Sequence, residues 1–117
     1  AARKAVLFLK EGGVIICPTD TVYGFLADAT NKKAVDKIFK IKKRPKTKPL
    51  SVFVKNFKMA GKLAKINKHQ AKILHKFWPG KYTFILKRKH LYDVGHRTNL
   101  YGIAKNTIAI RIPKYPF

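Results

Sequence analysis

The stretch NKKAVDKIFKIKKRPKTKPLSVFV, residues 31–54, sets the architecture of this chain. Asn31 is a good N-cap, and Ala34, Val35, Ile38, Phe39 and Ile41 or Lys42 follow helical spacing, which predicts an amphipathic helix. It must stop near Arg44, because Pro45 disfavours helix in the residue before it. Leu50 to Val54 is short, apolar and bounded by a proline, so it reads as a strand. A helix joined to a strand through Lys42-Lys43-Arg44-Pro45-Lys46-Thr47-Lys48-Pro49 is the unit from which the rest is read.

Towards the N-terminus, Ala2 to Glu11 predicts a helix stopped by Gly12-Gly13. Val14 to Cys17 predicts a buried strand ending at Pro18, and Thr19 to Asp28 is strand-like or loop. The apolar run Ala5 to Leu9 is too short for a signal peptide and meets Lys10-Glu11 where a cleavage site should sit. Towards the C-terminus, Phe57 to Ile66 predicts a short helix. Asn67 and Gln70 form a capping-box signature for a helix ending about Phe77. Pro79-Gly80 is a turn, Tyr82 to Leu86 a strand, 90–106 a loop and Thr107 to Ile112 a last strand. This order predicts the α/β class in its α+β form: helices packed on a mixed β-sheet, in one domain over residues 1–117.

The composition excludes much. Five acidic residues stand against 27 Lys plus Arg, for a net charge of +22. The acids Glu11, Asp20, Asp28, Asp36 and Asp93 form no close pair for glycosidase or two-metal chemistry. Ser51 is the only serine and falls inside a predicted strand, which argues against a serine triad. The four histidines lack metal-ligand spacing with Cys17, so no metal site is expected. One cysteine cannot form an internal disulfide, which fits a reducing, cytoplasmic setting. No apolar run approaches the roughly 20 residues of a membrane span. What remains is chemistry driven by cations on developing negative charge, such as nucleotidyl transfer, or simple polyanion binding.

Four clusters carry candidate chemistry. Lys42, Arg44 and Lys48 can converge on a polyphosphate. The same run also reads as a basic helix terminus facing the helix dipole, and less well as a nuclear localisation signal, because apolar segments bracket it. Pro18-Thr19-Asp20-Thr21-Val22-Tyr23-Gly24 places hydroxyls, a carboxylate and a phenol at a strand end, where ligands often bind, or where a plain turn sits. Phe77-Trp78-Pro79-Gly80 with Thr83 is by itself a helix-to-strand turn. Arg111, between Ile110 and Ile112, needs an anion or an acid if buried, and acids are scarce.

In order, these motifs (Pro-Thr-Asp-Thr-Val-Tyr-Gly, Lys-Lys-Arg-Pro-x-x-Lys-Pro-Leu-Ser, Trp-Pro-Gly-x-x-Thr and Arg-x-Pro) resemble the YrdC-type threonylcarbamoyl-AMP synthase family. The resemblance implies a YrdC-like fold with a twisted mixed sheet. It also implies a chain that lacks the family's C-terminal part, including a Ser-x-Asn stretch. The implied reaction joins L-threonine, bicarbonate and ATP, with Mg²⁺, into threonylcarbamoyl-AMP, which a downstream transferase complex uses to modify adenosine 37 of tRNA. Lys42, Arg44 and Lys48 would then be catalytic. Thr19, Thr21, Tyr23, Thr83 and Arg111 would bind substrate. The competing expectation is a non-catalytic YrdC-like protein that binds tRNA or double-stranded RNA. A carbamoyl-phosphate-using hydrogenase-maturation relative is more distant, with a different pocket signature.

Overall fold

The computed structural model describes residues 2–18, 23–89 and 100–114. The expected central helix is α2 (Lys32–Lys42). The Asn31 side chain accepts a hydrogen bond from the Ala34 amide at 3.0 Å, and Ala34, Val35, Ile38 and Phe39 form the buried stripe. Lys43 adopts left-handed geometry with φ 51, and the next amide, of Arg44, donates to the Phe39 carbonyl at 3.0 Å. The chain therefore turns off the helix before Pro45, which could not continue it.

Two sheets form among the described residues. Near the N-terminus, α1 (Ala2–Lys10) precedes β1 (Ile15–Pro18), which pairs antiparallel with β2 (Tyr23–Leu26). The second sheet is mixed. It contains β3 (Val52–Phe53), β4 (Ala64–Lys65), β5 (Phe84–Arg88) and β6 (Thr107–Arg111), in the order β3-β6-β5-β4. β3 runs parallel to β6, and the other pairs are antiparallel. The mixed sheet is as expected; the separation of the β1–β2 ribbon from it is not legible in local sequence.

Register explains the core. Phe84 pairs with Ile110 and Leu86 with Ile108, while Ile85, Lys87, Ala109 and Thr107 pair on the alternate face. Strand side chains alternate faces, so one face is apolar and the other mixed. Val52, Val54, Leu86, Ile108 and Ile110 pack with Leu74 and Trp78. Leu74 belongs to α4 (Lys68–Phe77), and Ala60 in the same cluster belongs to α3 (Phe57–Leu63). Burying each large aliphatic side chain contributes about 1.5–3 kcal/mol.

Among the boundaries that differ from the sequence reading, two have a visible cause. α3 stops at Leu63 rather than near Ile66, because Ala64 is extended and pairs with Arg88 to make β4. β5 starts at Phe84 rather than Tyr82, because the Trp78 indole N–H donates to the Tyr82 carbonyl at 2.9 Å and holds that residue in the turn.

The segment 100–106 ties the halves together. The Tyr101 amide donates to the Ala29 carbonyl at 2.9 Å, and the Leu50 amide to the Gly102 carbonyl at 2.7 Å. Gly102 has φ +76, and a Cβ there would stand 2.7 Å from Val35 Cγ1, so a side chain would push α2 away. No helix among the described residues is long and apolar enough to cross a membrane.

Candidate functional site

Those cross-links leave a cleft of about 900 Å³ between the β2 side, the end of α2, β3 and α3. Its apolar lining includes Phe25, Leu26, Ile38, Val52, Phe53 and Ile103. Around it stand seven cations: Lys42 and Arg44 from the α2 terminus, Lys55, Lys58 and Lys62 at and along α3, and Arg88 with Lys89 at the end of β5. Asp28 is the only acid among the described lining residues. Lys58 and Lys62 are four apart on α3, so helical geometry puts them on one side, and Lys55 stands just before its N-cap Asn56. A cation-rich rim over an apolar floor suits an anionic ligand with a flat apolar part.

Arg44 has a double duty. Its Nε donates to the Lys48 carbonyl at 2.9 Å and its Nη2 to the Pro49 carbonyl at 2.7 Å. The Lys48 amide donates to the Pro45 carbonyl at 3.0 Å. The planar guanidinium thus closes residues 44–49 into a compact loop, and among the described residues its Nη1 has no protein acceptor. Arg88 and Lys89 are also held: Arg88 Nη1 donates to Ala104 at 3.1 Å and Lys89 Nζ to Gly61 at 2.6 Å. Asp28 Oδ1 accepts from the Thr30 amide at 2.9 Å and hydroxyl at 2.7 Å.

Of the residues singled out in the sequence, Lys42 and Arg44 line the cleft. Lys48 is exposed in the loop that Arg44 grips and is not in the lining. Thr19 and Thr21 lie outside the described residues. Tyr23 begins β2, next to Gly24 of the lining. Thr83 is exposed and away from the cleft. Arg111 is buried: its Nε donates to the Gly80 carbonyl at 2.8 Å, and its guanidinium lies 5.4 Å from the ring centre of Phe53, a lining residue. Burial lowers its pKa, as desolvation disfavours the charged form. Five cleft cations, Lys55, Lys58, Lys62, Arg88 and Lys89, carried no motif. The helical spacing of Lys58 and Lys62 was a usable signal, but only if the facing side were known.

With this geometry in place, similarity to other proteins can be read onto it. Residues 7–117 match the Sua5/YciO/YrdC family model, whose description is "Telomere recombination". The chain belongs to this family. A Methanocaldococcus jannaschii protein, provisionally named a threonylcarbamoyl-AMP synthase, is 44% identical over 97% of this chain and 54% of its own length. Among solved structures, Pyrococcus abyssi Sua5 complexed with L-threonine has a TM-score of 0.80 and 33% identity, covering 97% of this chain and 32% of that one. Escherichia coli YciO has a TM-score of 0.80 and 26% identity, covering 97% of this chain and 53% of that one. The chain thus spans between a third and about half of the length of these three relatives.

Proposed function

We propose that this chain carries the substrate cleft of a threonylcarbamoyl-AMP synthase. In this reading the amine of L-threonine adds to the bicarbonate carbon and water leaves, giving a carbamate. The carbamate oxygen attacks the α-phosphate of ATP, and the bond to the pyrophosphate leaving group breaks. The observation that carries the reading is the cleft rim, where seven cations face one acid around an apolar floor. Such a transfer needs no protein nucleophile; it needs fixed positive charge where negative charge develops. A relative that aligns with 97% of this chain at 37% identity bears the synthase name, and a structural relative was solved with L-threonine.

Lys42 and Arg44 are the proposed phosphate and carbamate contacts. Thr19, Thr21 and Tyr23 are proposed for the strand-end side of the pocket. Lys48 enters through the backbone carbonyl that Arg44 grips. Arg111 lies over Phe53 in the cleft lining and holds the Gly80 turn, and is proposed on the substrate side. Mg²⁺ fits as a companion of the nucleotide rather than a caged ion. Asp28 is the one lining carboxylate, and no group of three His, Cys, Asp or Glu among the described residues could hold a metal. Bound there, Mg²⁺ would supply charge neutralisation to the phosphates. The product would pass to a separate transferase acting on tRNA in the cytoplasm, a setting that the lone Cys17 fits.

The test is mass spectrometry of the chain incubated with ATP, Mg²⁺, L-threonine and bicarbonate. Threonylcarbamoyl-AMP and pyrophosphate are the expected products. Lys42→Ala should lower the yield about tenfold or more, since a charge-assisted contact is lost, whereas Lys32→Ala on the exposed side of α2 should not. No adduct from the unmodified chain would overturn the reading.

A further inference from the structure

α3 presents two different faces. Phe57, Ala60 and Leu63 pack on the core, with Ala60 fully buried. Lys58, Met59 and Lys62 are exposed and line the cleft, and Lys55 lines it just ahead of the helix. Four residues separate Lys58 from Lys62, which sets their Cβ atoms about 5–6 Å apart on one side of the helix. No carboxylate balances them: Asp28, the one acid among the described lining residues, already accepts from Thr30. Among the described residues, no protein group bonds the ammonium of Lys55, Lys58 or Lys62.

The helix that displays these lysines is fixed at both ends. Asn56 caps its start, its side chain accepting from the Met59 amide at 2.9 Å. Lys89 holds its last turn: the Nζ donates to the Gly61 carbonyl at 2.6 Å and the amide to the Leu63 carbonyl at 2.9 Å. Other cations of the rim bond the protein itself, Arg44 through the Lys48 and Pro49 carbonyls and Arg88 through Ala104. The α3 lysines are therefore charges on a rigid support with no internal partner. Like charges four residues apart destabilise a helix, and an anion held between them removes that repulsion.

We propose that Lys58 and Lys62, with Lys55 beside them, form the pyrophosphate subsite of the cleft. They hold the β- and γ-phosphates of ATP and then the pyrophosphate that leaves. The chemistry rests on the synthase reading. As the carbamate oxygen bonds to the α-phosphorus, the bond from that phosphorus to its bridging oxygen breaks. The electron pair goes with pyrophosphate, so negative charge grows on the group the lysines face. Residue type suits this task. An ammonium is a point charge on a flexible stem and can follow a group that moves and departs, whereas the planar fork of Arg44 suits a fixed position at the α2 terminus. A diphosphate can bridge two neighbouring ammoniums, and a single phosphate reaches them less well.

The experiment is calorimetric titration of the chain with inorganic pyrophosphate, and separately with inorganic phosphate, at about 150 mM salt, where remote surface charge is largely screened. Pyrophosphate should bind about tenfold more tightly than phosphate, or better, through its second charged contact. Lys58→Ala combined with Lys62→Ala should weaken pyrophosphate about tenfold or more. The control is Lys68→Ala combined with Lys72→Ala, which has the same spacing and charge loss on α4, outside the cleft lining. It should leave pyrophosphate affinity within about twofold. Thermal melting of both variants checks that they fold. No pyrophosphate binding by the unmodified chain, equal affinity for phosphate, or equal weakening by the α3 and α4 pairs would each overturn the proposal. The titration needs neither L-threonine nor turnover, so it is read apart from the synthase assay. A chain that forms the adduct while its α3 variant binds pyrophosphate unchanged would overturn this subsite and leave the synthase reading intact.

Discussion

Arg44 shows why residue identity matters more than charge in this chain. Its two bonds to the Lys48 and Pro49 carbonyls use the planar fork of the guanidinium. A lysine offers one flexible ammonium and cannot reproduce both. Arg44→Lys should therefore behave much like Arg44→Ala, weakening ATP binding about ten- to hundredfold by calorimetry, the loss of about 1.5–3 kcal/mol expected for a charged hydrogen bond. If Arg44→Lys binds ATP as the unmodified chain does, the loop needs only charge. Arg111 acts through packing as well. It is buried, over Phe53 and bonded to Gly80, so Arg111→Ala should lower unfolding stability in urea by about 2 kcal/mol or more. Cys17 responds to burial in the opposite sense to a surface thiol. Desolvation raises its pKa above the ordinary 9.0, so at pH 8 less of it is thiolate than in the unfolded chain. Alkylation by iodoacetamide should accordingly be slow in the folded protein and accelerate in urea; equal rates would mean that Cys17 is open to solvent.

At the scale of elements, what was legible is what has a local cause. α2 and α4 begin where capping side chains stand: Asn31 bonds the Ala34 amide, and Asn67 and Gln70 exchange bonds at 2.8 and 3.0 Å. Asn67→Ala should cost about 1 kcal/mol of unfolding stability, read in the same urea titration, because one amide of the first turn of α4 loses its acceptor. β4 was hidden because Ala64 and Lys65 continue a helical pattern; only the pairing of Ala64 with Arg88 from a distant strand makes them extended. The same reason limited the site. Lys42 and Arg44 lie in one motif and could be found, but Lys58 on α3 and Lys89 past β5 join them only after the sheet has formed. The Trp-Pro-Gly turn was visible as a turn, and its frame was not, because its partners Arg111 and Ile112 come from the last strand.

The whole molecule is a strongly cationic body in which one cleft gathers charge from distant parts of the chain. The cleft has an apolar floor, a volume of about 900 Å³ and cations from three parts of the chain. A net charge of +22 raises the local concentration of any anion, so weak binding everywhere is the expected background. Salt separates this background from the cleft. Exposed charges more than about 8–10 Å apart are largely screened at physiological ionic strength, whereas contacts inside a partly buried cleft are screened less. ATP affinity should therefore fall by no more than about tenfold between about 50 and 200 mM salt, and Lys42→Ala should weaken it at both. The measurement is a calorimetric titration of ATP at the two salt concentrations. Loss of all ATP binding at the higher salt, or equal binding by Lys42→Ala, would mean that ATP meets only the general surface charge.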